Sequence, residues 1–98
     1  MMLEEMQTRA SEAAGILKIM SHPERLMVLC QLVQGEMGAG QLQECSALSQ
    51  SAFSQHLTVL RKHELVKSRK ESQQVFYSLA DPRVEEILKA LYSVFCDP

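Results

Sequence analysis

No apolar run in the sequence approaches the roughly 18 to 20 residues that cross a bilayer, so a membrane-spanning helix is excluded. The N-terminus, MMLEEMQTRASEAAG, carries acids where a secretory leader carries bases, and a cytoplasmic location is expected. Cysteine is sparse. Cys30, Cys45 and Cys96 are three residues at wide spacing without a CxxC pair, which argues against a disulfide framework and against a zinc knuckle. There is no internal repeat, no low-complexity stretch, no βαβ alternation and no paired acid and base, so a thiol-redox enzyme is disfavoured. Length is short as well: 98 residues, 46% of them hydrophobic, fit one domain over 1–98 with a single core. In so small a domain, an apolar terminal helix left over once the core is filled points to oligomerisation.

The formal charge of -2 conceals a segregation. Between Ser49 and Gln74 five bases, Arg61, Lys62, Lys67, Arg69 and Lys70, face only two acids, Glu64 and Glu71. A basic segment on an otherwise acidic body marks the face that meets a polyanion.

Helical spacing of Met6, Ala10, Ala13, Ala14, Leu17 and Met20 predicts a first helix over about Leu3 to Met20. Ser21-His22-Pro23-Glu24 then predicts a second helix start, with Ser21 as cap, Glu24 reaching back and Pro23 in the first turn. Its buried stripe is Leu26, Leu29, Leu32 and Val33, and Gly35 ends it. After Gly38-Ala39-Gly40 a short helix is expected over about Gln41 to Ala47. Ser49 follows as the N-cap of QSAFSQHLTVLRKH, where Phe53, Leu57 and Leu60 form one apolar face. The period then changes to alternation, giving a β-hairpin of Val66 to Lys70 and Gln74 to Leu79 around a Glu71-Ser72-Gln73 tip. Asp81-Pro82 opens a last helix from Arg83 to about Phe95, whose apolar residues exceed one stripe. It is expected to pack with the first helix against a second subunit.

This mainly α pattern with a small β-hairpin describes a winged helix-turn-helix. Gln50, Ser51, Ser54 and Gln55 have short or amide side chains in the first turns of their helix, suited to entering a major groove and bonding to base edges. Ser54, Gln55 and His56 are the candidates for base contact. Thr58 and the amide of Gln73 extend the polar face along the helix and hairpin. Arg61, Lys62, Lys67, Arg69 and Lys70 are the candidates for phosphate contact, which adds affinity but little sequence information. The spacing is also compatible with a protein-docking module, and a histidine beside an apolar face, such as His56, is commonly structural. His63 is expected near the C-terminus of this helix, where a cation is favoured.

The stretches LKIMSHPERLMVLCQL, LSQSAFSQHLTVLRKHELVKSRKESQQVFYSL and LKALYSVFC resemble the ArsR/SmtB family of dimeric repressors over nearly the whole chain. A cysteine in the second helix and another ending the last one resemble its sulfide- and redox-responsive branch. The resemblance implies five helices and a two-stranded wing, a homodimer joined through the first and last helices, and double-stranded operator DNA as partner. It implies no cofactor. The family's arsenic-type thiolate positions fall here on Gly38 and Gly40. Its zinc-type site on the last helix finds Asp81 followed by Pro82 and Arg83, with no histidine after His63, so neither metal site is expected.

The same resemblance places Cys30 close to Cys96 and makes the pair a sensor of reactive sulfur species or oxidants. A thiolate takes up sulfur, the second cysteine resolves the adduct into a disulfide or longer bridge, and the repressor leaves its operator. Other readings compete. Cys30 can be a buried apolar filler and Cys96 a terminal thiol whose ionisation the helix dipole opposes, leaving a DNA-binding regulator with inert cysteines. A metal sensor recruiting Cys30, Cys45 or His22 is a further alternative. Cys45, without a counterpart in the family pattern, is expected to serve packing.

Overall fold

A computed structural model describes residues 2–96. Five helices and three short strands follow in the order α1 (Leu3–Met20), α2 (Pro23–Leu32), β1 (Met37–Gly38), α3 (Ala39–Glu44), α4 (Gln50–Lys62), β2 (Val66–Glu71), β3 (Gln74–Leu79) and α5 (Pro82–Phe95). The arrangement is a winged helix-turn-helix, with α3 and α4 as the helix pair and β2–β3 as the wing.

The sheet has three strands rather than the expected two. β1 adds to the wing in the order β1-β3-β2, all antiparallel, pairing Met37 with Tyr77 and Gly38 with Phe76. Two residues carry no readable alternation, so this strand has no local signal and forms only because β3 offers it an edge. In the wing itself Val66 pairs with Leu79 and Glu71 with Gln74, leaving Ser72-Gln73 as a two-residue tip. Ser72 takes a left-handed φ of 58°, as tight hairpin turns require.

Three helix boundaries differ from expectation. Ser21 closes α1, its N–H donating to the Lys18 carbonyl. His22 is the cap of α2 instead, with its Nδ1 accepting from the Glu24 N–H. Glu24 does not reach back: its carboxylate accepts from the Ser46 hydroxyl at 2.7 Å, a tertiary bond that outcompetes the local box. The short α3 begins two residues earlier than expected and ends at Glu44, since Ser46 is occupied with Glu24 and with the Leu48 N–H. At the exit of α4, Glu64 stands in the left-handed region at φ 62° while the Leu65 N–H reaches back to the Leu60 carbonyl. This is the closing turn that glycine usually supplies.

Leu29 and Leu32 of α2, Leu42 of α3, Phe53, Leu57 and Leu60 of α4, and Val84 and Leu88 of α5 meet in one core. Each amphipathic helix thus gives one stripe to the centre, and α4 is held from beneath while its polar face stays outside. α1 is different. Met20 is its only fully buried residue, and Leu3, Met6 and Leu17 are exposed along it. The end of α5 matches it, with Tyr92, Val94 and Phe95 at 64%, 74% and 80% exposure.

Candidate nucleic-acid interface and cysteine pair

Ser49 starts the reading helix, its hydroxyl accepting from the Ala52 N–H at 3.2 Å. That cap aims the first turn of α4 outward, and Gln50, Ser51, Ser54, Gln55 and Thr58 are all exposed on it. The Thr58 hydroxyl donates to the Ser54 carbonyl at 2.9 Å, which leaves its oxygen lone pairs facing outward. Arg61 and Lys62 continue the exposed face into the last turn. His56 is set apart from these. It is half-buried, its Nδ1 accepts from Arg25 Nε at 3.2 Å, and its ring lies 4.2 Å from that of His22. It therefore points toward α2 rather than along the face that carries Ser54 and Gln55.

On the wing, Lys67, Lys70 and Gln73 are exposed, and no ion pair engages the two lysines among the described residues. Arg69 is not equally available. Its guanidinium donates to both carboxylate oxygens of Glu36, at 2.7 and 2.6 Å, and to Glu71 at 2.6 Å, and it lies 4.7 Å over the Phe76 ring. The forked bond holds the Glu36 carboxyl below its ordinary range and raises the arginine. Arg69 thereby ties the wing to the turn before β1. Glu36, 33 positions away in sequence, was invisible to any local pattern.

Cys30 and Cys96 occupy a separate edge. Cys30 is on α2 and exposed, and Cys96 caps α5, its N–H donating to the Tyr92 carbonyl at 2.8 Å. Partial burial pushes the Cys30 thiol up, and negative charge on Cys96 pushes it further in the same direction. A groove of about 520 Å³ opens beside Cys30, lined by Met27, Val33, Leu88 and Tyr92 with Lys89 and Gln34 also on its walls. Cys45 is exposed at the end of α3, and Leu42 fills the core position there, so the expectation that Cys45 serves packing is corrected.

Residues 22–68, from the cap of α2 through α4 into β2, match the family model described as bacterial regulatory protein, arsR family. Over 93 residues the chain is 42% identical to the biofilm growth-associated repressor of Xylella fastidiosa, covering 95% of this chain and 82% of that protein. The chain belongs to the ArsR family. Among solved structures, this ArsR-family chain superposes on reduced HlyU from Vibrio cholerae with a TM-score of 0.90 at 41% identity, covering 96% of this chain and 99% of the other. The transcriptional repressor BigR from Xylella fastidiosa gives 0.89 at 42% identity, covering 98% of each chain. These relatives are transcriptional regulators built on a DNA-binding helix-turn-helix, not enzymes. Among the described residues, no helix of the chain is long and apolar enough to cross a membrane.

Proposed function

We propose that this ArsR-family regulator is a homodimeric repressor that grips operator DNA with α4 and the wing and lets go when reactive sulfur bridges Cys30 and Cys96. The sensor reading is supported by the exposure of Cys30 on α2 and Cys96 at the end of α5, by the bearing of Cys96 charge on the Cys30 thiol, and by the groove that opens beside Cys30. In the dimer, the exposed apolar residues of α1 and of the end of α5 cover one another across the two-fold axis. Gln50, Ser51, Ser54, Gln55 and Thr58 meet base edges, and Arg61, Lys62, Lys67 and Lys70 meet phosphates. His56 and Arg69 support this face through their inward bonds.

The chemistry balances without a cofactor. The Cys30 thiolate attacks the terminal sulfur of an organic hydropersulfide, forming a Cys30 persulfide and expelling the organic thiolate. The Cys96 thiolate then attacks the Cys30 sulfur, closing a disulfide and releasing hydrosulfide. Closure draws α5 against α2 and tilts the dimer face. Two reading helices must lie about 34 to 36 Å apart to fit successive major grooves, so a small rotation weakens binding.

A duplex selected by the wild-type protein from a random library provides the binding probe. Polysulfide treatment is expected to join the two cysteines in intact and peptide mass spectra and to release the duplex, while Cys30→Ser protein stays bound. Release of duplex by Cys30→Ser protein as readily as by wild type would sink the sensor assignment and leave DNA binding intact. A second reading, a regulator with inert thiols, is favoured by the upward shift of Cys30, which slows thiolate formation. It requires that no sulfur bridge form in the same spectra.

A further inference from the structure

We infer that Arg25 and His56 are positioning residues for the reading helix, and that α4 is held in its DNA-binding orientation only while the His56 imidazole is neutral. Arg25 is a three-way junction. Its Nε donates to His56 Nδ1 of α4 at 3.2 Å, and its Nη1 donates to the Ile19 carbonyl in the last turn of α1 at 3.1 Å. One planar guanidinium on α2 thus fixes α4 relative to α1, the helix that the proposed dimer places at its interface.

The bond dictates a protonation state. A guanidinium can only donate, so His56 must present a bare Nδ1 and carry its proton on Nε2. His22 Nδ1 is likewise an acceptor, from the Glu24 N–H at 3.2 Å. The charged and titratable groups facing His56 are Arg25 and Glu24 of α2 and His22 in the turn before it. A second proton on His56 would set N–H against N–H, place a cation beside Arg25, and crowd an imidazolium against a ring 4.2 Å away. Burial, His22 and Arg25 together hold the His56 pKa below its ordinary value, against a smaller upward pull from Glu24. Glu24 is itself held by Ser46, at the turn between α3 and α4, so the turn and the body of α4 are both referenced to the start of α2.

The inference rests on α4 being the helix that meets DNA, and it operates whether or not the cysteines react. If DNA binding selects the neutral junction, linkage requires the bound duplex to lower the His56 pKa further, by as much as protonation weakens the duplex affinity. Each unit of that shift corresponds to about tenfold in affinity. The test uses wild-type protein with labelled histidine, titrated by NMR free and bound to the library-selected duplex, with affinity measured from pH 8 to 5.5 at constant ionic strength. The expected result is a His56 pKa that falls by about one unit on binding and an affinity that weakens as pH drops through the free-protein value, approaching about tenfold only below both values. A His56 pKa unchanged or raised on binding overturns the inference, whereas failure to bind any duplex overturns the reading beneath it. Arg25→Met is expected to raise the His56 pKa in the free protein and to weaken duplex binding at pH 8. Should that variant fail to fold by circular dichroism, the wild-type titration decides alone.

Discussion

At the scale of single residues, the proposed DNA face has two kinds of exposed side chain that sequence composition mixes together. Gln55 is exposed in the second turn beyond the Ser49 cap, within the reach of an amide for a base edge. Lys67 is exposed on the wing as a flexible point charge. Gln55→Ala is therefore expected to cost about 1 to 3 kcal/mol against the preferred duplex and to relax discrimination at one or two base pairs. Lys67→Ala should weaken selected and scrambled duplexes alike and flatten the salt dependence by about one charge. Competition titrations with base-substituted duplexes distinguish these results, and equal discrimination in the two variants would refute the assignment of Gln55. The exposure of the α4 residues was legible because a polar side chain on a helix with a clear apolar face has one direction left to point. His56 was not, since it flanks the apolar row and only the position of Arg25, 31 residues earlier, turns it inward.

At the scale of elements, helix and hairpin boundaries followed from local chemistry wherever nothing distant competed. α1, the Ser49 cap of α4 and the Asp81-Pro82 start of α5 are as the sequence predicts, with Asp81 accepting from the Arg83 N–H at 2.9 Å. The start of α2 is otherwise, because Glu24 finds a better partner in Ser46 than in its own first turn. The wing shows the same competition between charges. The basic count between Ser49 and Gln74 includes Arg69, yet two carboxylates hold that side chain. Glu36→Gln removes the forked partner and one negative charge beside the wing. Its duplex affinity is expected to rise at low salt, with the slope of log affinity against log salt steeper by about 0.9 as Arg69 turns to phosphate. An unchanged slope in a normally folded variant would show that Arg69 stays with Glu71.

At the scale of the whole molecule, surplus apolar surface is the basis of the proposed dimer. α1 buries only Met20 fully, and Phe95 is 80% exposed at the other end of the chain. Large aromatic and aliphatic side chains left in water are stabilised by about 25 cal/mol per Å² once covered, and in the proposed homodimer a second copy covers both patches. Phe95→Glu is expected to sediment as a monomer and to lose on the order of 100-fold in duplex affinity, since one half-site no longer assists the other. A dimer of undiminished affinity in that variant would place the interface elsewhere. The sequence alone determined the winged helix-turn-helix, because hydrophobic periodicity, caps and turn residues act over a few positions and agree with one another. Tertiary structure alone decided the third strand, the Arg69–Glu36 tie and the Arg25–His56 junction. Each of these joins groups far apart along the chain, and the free energy of such a contact depends on a geometry that exists only after the core has brought the partners together.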